Sequence, residues 1–285
     1  MVTDMSTSQF APRHAAFRQL HASGCFILPN PWHIGAARWL AQAGFKALAT
    51  TSSGYAFSRG KADGAVHVDE VLQHCSEIVA ATNLPVNADF EDGHARDLPT
   101  LQDNVRRCVA TGVSGLSIED ASGDPASPLY SFAEAVERMH AAREAIDATD
   151  EDVLLVGRAE CFLVGQPDLD ETLRRLTAYG EAGADCLYAP ALSTREQIAA
   201  VVEAVAPKPV NVLLGPAAHL GLQTLAELGV RRISTGGALS LTAWSGFARA
   251  AEKLAAGRLD MLDNKVTHSD LGSLFAESNE PGQTS

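Results

Sequence analysis

Residues 85–94 read Pro85-Val86-Asn87-Ala88-Asp89-Phe90-Glu91-Asp92-Gly93-His94. A short apolar run at 84–86 leads in, and the turn chemistry of Asp92-Gly93 closes the stretch. The pattern predicts a strand over 86–90 that ends in a cluster of acids. Side chains alternate along a strand, so Asn87, Asp89 and Glu91 share one face and Asp92 points to the other. Hard carboxylate oxygens converging on one spot suit Mg²⁺ or Mn²⁺. Taken alone, the same residues also read as a solvated acidic loop.

The chain on either side repeats this strand-then-polar-end pattern. Short β-rich runs fall at 25–29, 47–51, 86–90, 115–119, 153–158, 186–188, 210–213 and 232–234. Amphipathic stretches lie between them, at 34–43, 101–111, 132–145, 169–182, 196–205 and 222–228. Such alternation implies a parallel sheet with helical crossovers, and eight repeats imply a closed (β/α)₈ barrel. Ala43-Gly44-Phe45, Thr111-Gly112-Val113, Ala182-Gly183-Ala184 and Leu228-Gly229-Val230 each separate a helix from the next strand. A glycine there suits a left-handed helix cap. A doubly wound open sheet is the competing fold, but no G-x-G-x-x-G follows the first strand. A helix at 241–256, ended by Gly257, and a tail at 258–285 with an apolar patch at 271–275 follow the eighth strand. The expectation is one α/β domain over 1–285. It is a TIM barrel with an extra C-terminal helix that packs on its own barrel or is exchanged with a neighbour. Residues 1–12 are expected to be a disordered arm.

Composition narrows the function. A net charge of −13 lacks the basic footprint of a nucleic-acid binder, and the scattered acids favour solubility. No apolar run is long enough for a membrane span, and the N-terminus carries no apolar block of a signal peptide. Five cysteines form no C-x-x-C pair, which fits free thiols in a reducing cytoplasm.

In a barrel of this kind the active site lies at the C-terminal ends of the strands. Those ends carry Asn30, the Thr51-Ser52-Ser53-Gly54 turn, Asn87 and Asp89, Glu119-Asp120, Arg158 and Glu160, Asn211, and Ser234-Thr235-Gly236-Gly237. Asp89 and Glu119 come from neighbouring strands and could share one cation. Arg158 can grip a substrate carboxylate bidentately, or can form a structural ion pair with Glu119. Amides of the Ser52–Gly54 turn can hold a carboxylate or an oxyanion. His33 reads as a cap, His67 and His74 as surface or half-buried, and Cys161 as an inert thiol. His94 follows the acids and is the histidine nearest to a site role.

Asn87-Ala88-Asp89, Ser117-Ile118-Glu119-Asp120, Ser52-Ser53-Gly54 with Asp63-Gly64 beyond, and Arg158 together resemble the isocitrate lyase/phosphoenolpyruvate mutase superfamily. The resemblance spans about 26–256. It implies a Mg²⁺-dependent (β/α)₈ barrel that makes or breaks a C–C or P–C bond beside a 2-oxo carboxylate. It also implies a dimer or tetramer built by exchanging a C-terminal helix. Carried over residue by residue, it assigns the metal to Asp89 and Glu119, with Glu91 replacing the acid missing at Asn87. Ser52, Ser53, Gly54 and Arg158 would bind substrate and Asp63 would lie near the metal's waters, which makes Arg158, Ser52 and Asp63 the expected catalytic residues; Asn211, from the rim, joins the expected substrate-binding set.

Two departures matter. The loop after Glu119-Asp120 reads Ala121-Ser122-Gly123-Asp124-Pro125, without the lyases' Cys, Lys and His. Pro190 replaces their Glu after the sixth strand. The expected chemistry is therefore lyase-type cleavage beside a 2-oxo or 2-hydroxy carboxylate, like oxaloacetate decarboxylation or methylisocitrate cleavage. P–C bond chemistry, a sugar-phosphate barrel and a non-catalytic metabolite binder are the alternatives.

Overall fold

A computed structural model describes residues 8–260 and 265–277. In chain order the elements are α1 (Ala11–Ala22), β1 (Phe26–Leu28), α2 (Ile34–Gln42), β2 (Leu48–Ala49), α3 (Ser52–Ser58), α4 (Val68–Ala81), β3 (Val86–Asp89) and α5 (Leu98–Ala110). Then come β4 (Gly115–Glu119), α6 (Phe132–Asp147), β5 (Leu154–Arg158), α7 (Leu169–Glu181), β6 (Cys186–Tyr188), α8 (Arg195–Val205) and β7 (Val210–Leu213). A 3₁₀ turn at Ala218–Leu220, α9 (Gly221–Glu227), β8 (Arg232–Ser234), α10 (Ala238–Ala255) and α11 (His268–Glu277) complete the chain.

All strand pairs are parallel, in the order β1-β8-β7-β6-β5-β4-β3-β2. The seam between β1 and β2 is joined by Ala49 N donating to the Pro29 carbonyl (3.0 Å) and Asn30 Nδ2 donating to the Thr50 carbonyl (2.6 Å). The predicted α/β barrel therefore stands. Among the described residues no helix is long and apolar enough to cross a membrane.

Local chemistry sets the elements. Asp97, Asp168, Ser131 and Thr194 cap α5, α7, α6 and α8, the last two with full capping boxes. Gly44, Gly112, Gly183 and Gly229, predicted as helix caps, all have positive φ. Two of them are also steric requirements: a Cβ on Gly112 would lie 2.5 Å from the Phe10 ring, and one on Gly183 would lie 2.5 Å from Arg143 Cγ.

Helix α1 plugs the N-terminal mouth. Phe17 is fully buried and clusters with Leu28, Ala47, Ala49 and Leu154. His14 Nδ1 lies 3.0 Å from Ser114 Oγ. The predicted arm is thus shorter than expected. Ala11 and Pro12 open α1, with proline suited to a first turn, while residues 1–7 lie outside the described residues. With the bottom closed, polar groups converge at the opposite end. The tail contains α11, which covers the predicted apolar patch, packs on α2 and buries Leu274.

Candidate active site

Strand register builds the site. Glu119 is the register partner of Arg158, Arg158 of Tyr188, and Tyr188 of Asn211. Arg158 Nη1 therefore reaches Glu119 Oε2 (3.0 Å) and, across β4, Asp89 Oδ1 (3.2 Å). Its Nε donates to Glu160, and its guanidinium lies 5.2 Å from the Tyr188 ring centre. The two readings of Arg158 drawn from sequence meet here: it stands at the mouth, and it is paired with Glu119, Asp89 and Glu160 together. Glu160 was seen at the rim but not as this partner, because no spacing signal distinguishes a second-neighbour ion pair.

Asp89 is fixed on three sides. Its amide donates to Thr50 Oγ1 (2.8 Å), and Oδ2 accepts from the Ser52 amide (2.9 Å). Ser52, Ser53 and Gly54 are not a plain turn: they open α3, capped by Thr51, whose Oγ1 accepts from the Gly54 amide (3.3 Å). Two of the three amides expected to hold substrate are thus already bonded. The Ser53 amide makes no hydrogen bond among the described residues, and Ser53 lines the mouth. A Cβ on Gly54 would lie 2.6 Å from Thr51 Cγ2, so glycine is needed there.

Glu91 and His94 adopt positive φ, 49° and 52°, because the chain turns sharply after β3. The strand stops at Asp89, so the predicted alternation fails beyond it. Glu91 and Asp92 both border the same cleft, where alternation would have sent Asp92 away. Asp92 Oδ2 accepts from Tyr130 OH (3.0 Å), and the turn is gripped by Arg138, which donates to the Ala95 carbonyl (2.8 Å) and to the carbonyl of Asp92. His94 Nε2 is buried without a hydrogen bond, 3.9 Å from Glu91 Oε1.

Two connected spaces open at the mouth. One, of about 530 Å³, is bordered by Ser52, Asp63, Glu91, Glu119, Arg158 and Glu160 among others. The deeper one, of about 180 Å³, reaches Asn87, Asp89, Asn211 and Arg232. A larger cleft of about 810 Å³ lies beside the loop at 122–131; it holds none of the carboxylates paired with Arg158 and is lined instead by Glu171 and Arg175, which pair with each other.

The electrostatics of the mouth are unbalanced. Burial, then Asp89, Asp63 and Asp92, push Glu91 up to about 8. Burial and Asp89 raise Asp63. Burial raises Glu119 well above the usual carboxylate range, with Glu160 and Asp89 adding to it and Arg158 opposing. Arg158 is itself raised, since Glu119 and Glu160 outweigh its burial. Both partners of one ion pair shift upward: burial and the neighbouring acids raise Glu119, while the surrounding acids, Glu119 and Glu160 first, raise Arg158 against its burial.

An excess of hard oxygen donors around a half-enclosed space fits a divalent cation chemically. Among the described residues no group of three or more such side chains is already arranged around one point. Mg²⁺ takes one or two carboxylates and keeps several waters. Asp89 and Glu119, with Glu91 and Asp63 beside them, are the residues that would hold it.

Other predicted residues resolve as follows. Asn211 is buried, its Nδ2 donating to Ser234 Oγ (2.9 Å) and its Oδ1 accepting from Arg232. Asn87 Oδ1 accepts from Arg232 (3.2 Å), below the acids rather than among them. His33 caps α2 and His67 caps α4, but His74 is buried and stacked 4.0 Å from Tyr55, against expectation. Burial keeps the Cys161 thiol protonated. Asp120 is structural: its carboxylate takes the Glu160 amide (2.8 Å), Arg175 (2.9 Å) and Tyr179 OH (2.6 Å).

A parallel (β/α)₈ barrel whose open mouth gathers carboxylates around one arginine is the architecture of a barrel enzyme. The family model described as phosphoenolpyruvate phosphomutase matches residues 17–255, so the chain belongs to that family, within the isocitrate lyase/phosphoenolpyruvate mutase superfamily. A solved structure from Burkholderia cenocepacia J2315, assigned provisionally as a lyase/mutase, is 45% identical with a TM-score of 0.91 and covers 94% of this chain and 97% of its own. A second from the same organism, assigned provisionally as a phosphonomutase, is 34% identical with a TM-score of 0.79, covering 86% and 99%. Oxaloacetate decarboxylase of Rhodopseudomonas palustris is 32% identical over 58% of this chain and 57% of its own length.

Proposed function

We propose that this protein is a Mg²⁺- or Mn²⁺-dependent lyase that breaks a C–C bond beside a 2-oxo or 2-hydroxy carboxylate, by chemistry close to oxaloacetate decarboxylation. The observation that carries the reading is the acid-rich mouth: Asp63, Asp89, Glu91, Glu119 and Glu160 gather there, and three of them, Asp89, Glu119 and Glu160, pair with Arg158. A divalent cation held there would supply positive charge to the substrate oxygen on which charge develops as the bond breaks.

The chain's own groups do the rest. The Ser53 amide, at the open N-terminus of α3, orients a carboxylate. Arg158 holds Asp89 and Glu119 at fixed separation, which preorganises the mouth. Loss of carbon dioxide needs no protein acid in the bond-breaking step. That suits a loop of Ala121, Ser122, Gly123 and Asp124, which offers no thiol and no imidazole. Methylisocitrate-type cleavage fits less well for the same reason.

The phosphonomutase-assigned relative supports a second reading, P–C bond chemistry on a phosphonopyruvate-like acid, in the same mouth. NMR-monitored turnover of oxaloacetate, 2-methylisocitrate and phosphonopyruvate, with Mg²⁺ and with excess chelator, separates them. Turnover of a 2-oxo dicarboxylate that survives chelation would refute the metal requirement.

Five unpaired cysteines support a cytoplasmic setting. Helix α10 buries only Ser240 and exposes Leu241, Trp244, Phe247 and Leu254. A face of that size supports a homo-oligomer, dimer or tetramer, that covers it.

A further inference from the structure

The barrel contains a second inward-facing arginine, and its surroundings are the reverse of those of Arg158. Strand β8 directs Arg232 into the interior, where 3% of it is exposed. Nε donates to Asn211 Oδ1 (2.9 Å) and Nη1 to Asn87 Oδ1 (3.2 Å). Nη1 also lies 3.5 Å from His21 Nε2. His21 Nδ1 is 2.8 Å from the Phe17 carbonyl, which places the proton on Nδ1 and leaves Nε2 as an acceptor. Burial and the charge of Arg232 hold His21 down to about 3, so that ring is neutral.

Three neutral acceptors therefore hold this cation, and among the described residues no carboxylate pairs with it. A buried, uncompensated charge is among the least favourable groups a core can hold. Arg232 nevertheless borders the 180 Å³ space that runs up to Asp89, Ser52 and Ser53. Its partners occupy Nε and Nη1; Nη2 carries no hydrogen bond among the described residues. Arg158, by contrast, is already shared by three acids.

We propose that Arg232 recognises the second anionic group of the substrate. The acid lies along the barrel axis, with its 2-oxo or 2-hydroxy carboxylate end by Asp89 and Ser53 and its distal anion at the open edge of Arg232. This rests on reading the mouth as a carboxylic-acid site and adds the residue that selects two-anion substrates. Asn87 gains a purpose as well: its neutral amide leaves the charge of Arg232 uncompensated, where an aspartate would pair with it. Asn211 does the same from β7.

The test is calorimetric binding in Mg²⁺ of lactate and pyruvate, which carry one anion, against malate and phosphonopyruvate, which carry two. Wild-type protein is expected to prefer the two-anion acids by about tenfold or more. Arg232→Met, close in size but uncharged, is expected to bring that preference to within about twofold while lactate and pyruvate bind as before. Asn211→Asp is expected to lower that preference as well without removing the arginine, because it sets a carboxylate beside Nε. Arg232→Lys is expected to keep part of the preference. If Arg232→Met fails to fold, these last two variants decide. Malate against phosphonopyruvate tells whether the distal anion is a carboxylate or a phosphonate. Wild-type binding of pyruvate with no two-anion preference, or a preference that persists in Arg232→Met or is undiminished in Asn211→Asp, overturns the proposal alone. No binding of any of the four acids overturns the carboxylic-acid reading with it.

Discussion

Replacing Arg158 by methionine tests the electrostatic account of the mouth most directly. The guanidinium is 14% exposed and is the shared partner of Asp89, Glu119 and Glu160. Methionine keeps much of the volume and removes the charge. Breaking a buried ion pair by removing one partner costs about 3–5 kcal/mol, because the remaining charge is left without compensation. Each kcal/mol moves the melting temperature by about 2–4 °C in a domain approaching this size. The expected loss in Tm is then on the order of 6–20 °C in chelator at about pH 8.

The loss has a predicted pH dependence. Glu119 and Glu160 already sit above the ordinary carboxylate range, chiefly through burial. Without Arg158 they rise further. A group whose folded pKa exceeds its unfolded value contributes stability below the unfolded pKa and loses it as pH rises through the folded one. The Tm gap between variant and wild type should therefore be small near pH 5 and widen toward pH 8. Millimolar Mg²⁺ should recover part of it at pH 8, since a cation replaces the lost charge. Calorimetric scans across that range, with chelator and with Mg²⁺, provide the check. A gap under about 2 °C, or one that does not change with pH, would mean that Arg158 does not neutralise this cluster. The same variant should lose more than about tenfold in kcat/KM, roughly 1.4 kcal/mol of transition-state stabilisation.

Other consequences follow from single contacts. Glu91 is pushed up to about 8, so without divalent cation wild-type stability should fall as pH rises from about 4.5 toward 8. Glu91→Gln should flatten that slope in pH-dependent melts, and an unchanged slope would refute the assignment. Phe247→Asp with Trp244→Asp should lower the assembly state in light scattering, because both side chains lie on the exposed face of α10. A wild-type protein already monomeric at tens of micromolar would remove the basis for that. Asp120→Asn should cost about 3 kcal/mol in denaturant titrations, since it weakens the bonds to Arg175 and Tyr179. A change within about 0.5 kcal/mol would argue against a structural role.

The barrel was legible because its strands are buried on both faces and read as short apolar runs between glycine-capped helices. The bounds of β4, β6, β7 and β8 agree with the sequence reading to the residue. Only β2 is markedly shorter than predicted, because Thr50 and Thr51 spend their hydroxyls on Asp89 and on capping α3. Asp89, Glu119 and Arg158 were legible as polar residues ending apolar runs. Three features were not. Helix α3 is too short to show a period. The burial of His74 depends on Tyr55, which packs on it across helices. The Asn87, Asn211, Arg232 and His21 cluster joins residues 21 to 211 positions apart, through a register that exists only once the barrel closes.

That last cluster bears on how the site is divided. Arg158 sits in an excess of negative charge, so an incoming anion gains little from it until a cation enters the mouth. Arg232 sits in an excess of positive charge, so an anion gains from it at once. The two guanidiniums border one channel, and Asp89, Glu119 and Glu160 pair with Arg158 and not with Arg232. An acid with two anionic ends can therefore meet positive potential at both only when the mouth is loaded. On the proposed reading the expected order of addition is cation first and substrate second, with the distal end directed inward by Arg232, which has no carboxylate partner among the described residues.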